Sequence, residues 1–300
     1  MKSWRVLLLT APILLAQEPP AWQVAAGGKM AFEVASIKVG PSDAFVPPPF
    51  PLDSGDAYAP TGGRFVATFP LAVYIQFAYK LHLTREQMEP VLAHLPKWVE
   101  NDRFAIEARA AISDPTKDQM RLMMQSLLAD RFKLAVHFET PTVPVFAMTL
   151  MKAGKTGPGL RPHAEGPLCD KAAPMPVLSG AGLPDPAAVF PPACDVYMVL
   201  KGPKGIRVGS RNTTMELIAE TLSGFSELGR PVVDQTGLSG RYDFRIEWMP
   251  ELNRTPSPDV DSQAPSLREA VREELGVKLE PTKAPIRVLI VDHVERPTEN

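Results

Sequence analysis

The sequence predicts an α+β protein: a duplicated strand-helix-strand-helix-strand-strand unit forming two lobes, with proline-rich insertions. Three observations predict it. Stretches of strand-like alternation are followed by stretches of helix-like 3.6-residue spacing. These patterns recur in the same order in residues 63–150 and 205–294. The 33 prolines, about twice the usual share for 300 residues, gather in blocks between the patterns rather than inside them.

Residues 1–16 read as a signal peptide, with Lys2 and Arg5 ahead of a short apolar run and Ala16 as the cleavage residue. That run is too short for the roughly 20 residues of a spanning helix. The expected mature protein begins near Gln17, carries no membrane span and is extracytoplasmic. Residues 17–30 read as a linker, and residues 31–152 as the first α+β lobe. There Phe65-Val-Ala67 is a strand, and Leu71, Tyr74, Ile75 and Ala78 face one side of a helix. Phe104, Ile106 and Ala108 alternate, and Met120, Met123, Met124, Leu127 and Leu128 form a core stripe. Phe132-Lys-Leu-Ala-Val136 and Val145-Phe-Ala-Met-Thr-Leu150 close the unit.

The second lobe, residues 205–297, repeats this order. Ile206 and Val208 lead into a helix carrying Met215, Ile218, Ala219 and Leu222. Tyr242, Phe244, Ile246 and Trp248 alternate with polar neighbours, and Leu267, Ala270, Val271 and Leu275 mark one further helix. Val277-Lys-Leu279 and residues 286–291 are its closing strands. Thr116-Lys-Asp-Gln119 and Ser266-Leu-Arg-Glu269 are capping boxes, each opening the second helix of its copy. Gly276 suits a left-handed helix exit. The expected arrangement is one self-contained sheet per copy. Its rival is an intertwined sheet in which strands cross between copies, with residues 32–34 at an edge.

Residues 41–60 read as a proline-rich excursion in which substitutions cost little, and residues 153–204 as an inter-lobe segment. That segment holds both cysteines, Cys169 and Cys194. An isolated pair in an oxidising compartment reads as a structural disulfide. It closes a loop of about 25 residues, worth roughly 3 kcal/mol in the chain-entropy model. The spacing is not that of a Cys-x-x-Cys redox site, and no histidine lies within metal-ligand reach in sequence.

Phe32-Glu-Val-Ala-Ser-Ile-Lys38, Leu127-Leu-Ala-Asp-Arg-Phe-Lys-Leu134, residues 229–244 and Ile290-Val-Asp-His-Val-Glu-Arg-Pro297 carry a family resemblance. Over residues 31–297 the chain resembles the secreted proteins of unknown function expanded in Acidobacteria, the Solibacter-type paralogous family. Some members are joined to membrane sensor regions, so the resemblance implies an extracytoplasmic sensing role. Each half also looks like the short N-terminal domain of secretins and TonB-dependent transducers, an interaction module.

A net charge of −2, which becomes −4 once Lys2 and Arg5 leave with the signal, argues against a nucleic-acid partner. Nucleophile elbow, phosphate cradle and paired metal-binding histidines are all missing from the sequence. Catalytic residues, metal and cofactor are therefore expected to be none. Asp292 and His293, adjacent in a strand, are expected on opposite faces. Arg103 and Arg241 are candidates for binding a carboxylate, or else form strand-end ion pairs. Asp234 is a binding candidate whose simpler use is to start a turn. The expected function is a non-catalytic interaction or sensing module with a protein or peptide partner, the cell envelope being one source of such a partner. The alternative is an extracytoplasmic hydrolase with an acidic site at the lobe interface.

Overall fold

The computed structural model describes residues 19–41, 43–81, 91–165, 191, 194–203, 205–250 and 265–297. It is α+β. The first sheet is antiparallel, with β3 (Arg103–Arg109) between β1 (Val34–Val39) and β2 (Arg64–Pro70). Helices α2 (Leu71–Ala78) and α4 (Lys117–Arg131) pack together over it, and the short α3 (Trp98–Asn101) leads into β3. The core beneath holds Phe65, Phe104 and Ile106 against Met120, Met123, Met124 and Leu128. Thr116 caps α4 in a full capping box with Gln119. Pro70, whose missing amide costs nothing at a helix start, is the N-cap of α2.

The second sheet runs β6-β10-β8-β7: β6 (Leu160–Pro162), β10 (Tyr242–Trp248), β8 (Gly205–Thr213) and β7 (Tyr197–Gly202). Helix α5 (Met215–Ser223), capped by Thr214, buries Met215, Ile218, Ala219 and Leu222 against it. The second capped helix is not one α-helix as expected. After α6 (Leu267–Ala270), opened by the Ser266–Glu269 capping box, a π-turn spans Val271–Leu275. It ends at Gly276 with φ 71°. A Cβ there would lie 2.5 Å from the Gly157 amide nitrogen, so both the dihedral and the close approach require glycine.

The closing strands do not stay within their own half. β5 (Thr142–Leu150) pairs with β11 (Val277–Pro285), and β4 (Ala135–Glu139) pairs with β12 (Val288–His293), both antiparallel. The cores follow: Phe146 and Met148 of β5 fill the second core, and Leu289 of β12 fills the first. Strand pairing therefore crosses the division at residues 152 and 205, as in the intertwined alternative, and β1 lies at an edge of the first sheet. A short strand, β9 (Val232–Asp234), adds to β5 in parallel.

Three further segments hold more structure than their composition announces. The described ends of the inter-lobe segment are sheet strands: β6 pairs with Tyr242–Phe244 and β7 with β8. Leu160 is buried in the second core, and Pro162 is tolerated because β6 is a three-residue edge. In the 41–60 excursion, Phe50 is only 3 % exposed and packs its ring on Tyr58, Phe65 and Phe77. The segment read as a linker contains a short helix, α1 (Ala21–Ala25), and Met30 packs against the first core. Cys169 and residues 1–18 lie outside the described residues.

Candidate functional site

The two halves meet at a cluster of charges built on the N-terminal turn of α4. Lys117 and Arg121, one helical turn apart, both reach the loop at residues 53–56. The buried Lys117 amine donates to Asp53 Oδ1 at 2.6 Å and to the Gly55 carbonyl at 2.7 Å. Arg121, with no exposed surface, donates through Nη2 to the carbonyls of Asp53 (2.8 Å) and Gly55 (2.7 Å) and through Nη1 to Asp118. Lys80 stands 3.4 Å from both Asp56 and Asp118. From the second half Arg241 closes the cluster: Nη2 donates to Asp56 Oδ2 at 2.9 Å and Nη1 to the Asn212 carbonyl at 2.8 Å. A cleft of about 350 Å³ opens here, lined by Asp56, Tyr58, Asp114, Lys117, Asp118 and Arg121, among others.

Burial and charge act in opposite directions on these groups. Burial pulls the Lys117 amine down to about 8, although Asp53 beside it favours the charged form. At Asp56 burial favours the neutral acid, but Lys80 and Arg241 together hold the carboxyl below the usual range. Glu220, on α5, goes the other way. Burial, reinforced by Glu216, pushes it up to about 7 against the pull of Lys80 and Ser54. Its Oε2 is buried without a hydrogen-bond partner among the described residues.

The predicted candidates do not form one site. Arg103, Arg241 and Asp234 mark strand ends in three different sheets. Arg103 opens β3 opposite Pro70. Arg241 meets carboxylates of this chain, Asp56 and, at 3.7 Å, Asp195. Asp234 Oδ1 accepts from the Thr236 amide (2.9 Å) and hydroxyl (2.7 Å), which shapes the turn after β9. Asp292 pairs with His137 of β4 at 2.8 Å, while His293 pairs with Glu295 at 2.7 Å.

A second polar cluster was not predicted. Strand alternation places Asp243 and Glu247 opposite the core, facing water, yet both are buried. The register of β10 against β8 shifts between Tyr242 and Phe244, so Asp243 sits at an irregularity in the ladder. Its carboxylate accepts from the Asn212 amide at 3.1 Å and lies 2.6 Å from His163 Nδ1 and 3.4 Å from Arg211 Nε. Arg161 Nε is 3.7 Å away. His163 Nε2 is in turn 4.0 Å from the buried sulfur of Cys194. No spacing in the sequence signals this cluster, because its members come from four separate segments. Glu247 pairs with Arg207 at 3.1 Å.

The sheet edges differ in character. β11 is an edge strand carrying Pro281, Pro285, Lys278 and Lys283, residues that discourage pairing with another chain. β7 is also an edge, yet Tyr197 (39 %) and Val199 (43 %) are exposed along it. Its other face packs Val196, Met198 and Leu200 against Ala57.

Among the described residues no group of three or more His, Cys, Asp and Glu side chains could hold a metal ion. No helix among them is long and apolar enough to cross a membrane. No curated protein and no solved structure matches the chain. The family model described as "Protein of unknown function (DUF3738)" matches residues 72–294, and the chain belongs to that family.

Proposed function

We propose that this protein is an extracytoplasmic interaction or sensing module that binds a protein or peptide partner, rather than an enzyme. The reading rests on β7. No described strand pairs with its outer edge, and Tyr197 and Val199 are exposed there with Lys201 beyond them. An extended segment of the partner adds to this edge through main-chain hydrogen bonds. Its alternate apolar side chains lie beside Tyr197 and Val199, and an acidic one beside Lys201. The basic-apolar-small pattern of residues 1–16 places the protein outside the cytoplasm in this reading, and Cys169 is paired with Cys194. The common order of elements in the two halves is the product of a duplication.

A photo-crosslinking residue at position 199, in the native cell, tests the partner. A discrete adduct that disappears with Tyr197→Lys is the expected result. Equal adducts from position 112, also exposed but on a loop of the first half, would show that β7 has no special role.

The acidic-site hydrolase draws support from the carboxylates of Asp56, Asp114 and Asp118 in one cleft. It is the weaker reading. Asp56 and Asp118 serve as counter-ions to Lys80, Arg121 and Arg241, and a carboxyl held low is a poor general acid.

A further inference from the structure

Three exposed cations gather on one face of the β11-β5-β9 sheet. Arg230, in the loop before β9, and Arg268, in α6, both hold their guanidinium carbons over the ring of Phe146, at 5.5 and 4.5 Å from its centre. Lys283 of β11 pairs with Pro144, two residues before Phe146 on β5, so it falls on the same face of the sheet. The frame fixes both arginines. The Phe146 amide donates to the carbonyl of Pro231, next to Arg230, at 2.8 Å, and Leu267 and Ala270, buried in the second core, anchor the turn that carries Arg268. Among the described residues none of the three cations makes an ion pair. The carboxylates nearest to them in sequence are engaged elsewhere: Glu227 accepts from the Trp248 indole at 2.7 Å, and Glu269 closes the capping box on Ser266. Two guanidiniums at one ring repel each other, and the ring attracts their charge without meeting their forks of N–H donors.

We propose that Arg230 and Arg268, with Lys283 beside them, form a binding site for a phosphate group, either free or carried as a monoester on a larger molecule. A phosphate monoester has a charge near −2 and three acceptor oxygens, so it takes a fork of donors from each arginine and neutralises both. A carboxylate brings one charge and two oxygens and leaves the second arginine unmet. Lys283 adds a point charge rather than a fork. Phe146 is only 4 % exposed, so it backs the two arginines and the ligand meets their N–H donors instead of the ring. The whole chain has a net charge of −2, so bulk attraction does not bring a phosphate here; the local arrangement does. The site lies on a different sheet from β7 and goes beyond the partner-binding role. Binding is reversible, and no bond is made or broken.

The test uses the whole protein and inorganic phosphate, titrated by isothermal calorimetry against a chloride control of equal ionic strength. Saturable phosphate binding is expected, weakened about tenfold by Arg230→Gln and by Arg268→Gln, each of which removes one charge-assisted pair. Arg268→Lys keeps the charge but not the fork and is expected to recover only part of the affinity. Arg64→Gln, at an exposed arginine of the first sheet, is expected to change nothing. Sedimentation with phosphatidylcholine vesicles that contain phosphatidic acid separates the two sources. Capture that is lost in both glutamine variants identifies a lipid headgroup, and phosphate binding without capture identifies a small free phosphate; either supports the site. Binding of neither probe overturns the proposal, as does binding that survives both glutamine substitutions or falls equally with Arg64→Gln. None of these results bears on strand addition at β7.

Discussion

The first core and the second are assembled from the same kinds of element but admit polarity in different ways. The first is aromatic: Phe50, Phe65, Phe77, Phe104 and Phe132 pack ring on ring, Phe104 and Phe132 at 5.1 Å edge to face. The hydroxyl of its fully buried tyrosine, Tyr74, is fully used. It accepts from the Phe69 amide and lies within hydrogen-bond distance of the Ala67 and Phe104 carbonyls, and burial raises the phenol pKa against the pull of the Phe69 amide. Both halves also bury charge, the first at the start of α4, where Lys117 and Arg121 lie, and the second inside its sheet. Asp243 and Arg211 lie within its sheet, and Trp248 keeps an indole N–H on Glu227 at 2.7 Å. Buried charge is weak evidence for stability, since a desolvated pair often does no better than an apolar one. Charges kept at that cost mark where chemistry or specificity is worth seeking. The second half also carries the open edge at β7.

The largest expected effect tests whether the halves are one cooperative unit. Ending the chain after Pro285 removes β12, the strand partner of β4, and takes Leu289 from the first core. Amide exchange in α4 is expected to accelerate as if the first half had lost more than about 3 kcal/mol, although the cut lies in the second. Unchanged protection of α4 by hydrogen-exchange mass spectrometry would mean that the strand exchange does not stabilise the first half.

Next come matched single substitutions, one per core. Phe50→Ala is expected to cost about 3–5 kcal/mol through a cavity among aromatic rings. Asp243→Ala is expected to cost about 3–5 kcal/mol for a different reason, the loss of the counter-ion of buried Arg211. Urea titrations measure both. A neutral Asp243→Ala would show that the charges of the second core are dispensable.

A smaller effect belongs to the junction. Glu220 is held at about 7 against 4.5 for an exposed carboxyl, so the native state binds this proton more tightly than the unfolded chain does. Its contribution is full below the unfolded value and is lost as pH rises through the folded one. Native stability should decline by roughly 1–3 kcal/mol across that window. Glu220→Gln should flatten the decline, read as urea midpoints at about pH 5 and about pH 8. Equal slopes in the two proteins would place the titration elsewhere. The smallest effect is expected at Phe45. Though only five residues from Phe50, it is 61 % exposed and touches Phe69 by an edge contact, so Phe45→Ala should cost no more than about 1 kcal/mol.

The candidate site was legible only in fragments. Arg241 was identifiable as an arginine seeking a carboxylate, because an Arg-aromatic pair opens an alternating strand. Its partner Asp56 was not, since the excursion that carries it has no periodicity. The burial of Asp243 was not legible either, because alternation assumes a regular ladder with one solvated face. At β10 the register shifts, and His163 and Arg211 meet the strand on the side expected to face water.

By itself the sequence determined the α+β class, the order of the main strands and helices, the capping boxes at Thr116 and Ser266, the methionine stripe of α4 and the glycine exit at Gly276. All of these are local: a cap, a stripe or a left-handed turn involves residues a few positions apart, so their pattern is written in adjacent letters. Only the tertiary structure decided that β5 joins β11 and β12 joins β4, that Phe50 enters the first core, and that Cys194 meets His163. A period-2 pattern states which face of a strand is apolar but not which apolar face will cover it. Pairing β4 and β5 within their own half or across to the other satisfies the same alternation. The choice is made by whole-core packing, which no short window of sequence contains.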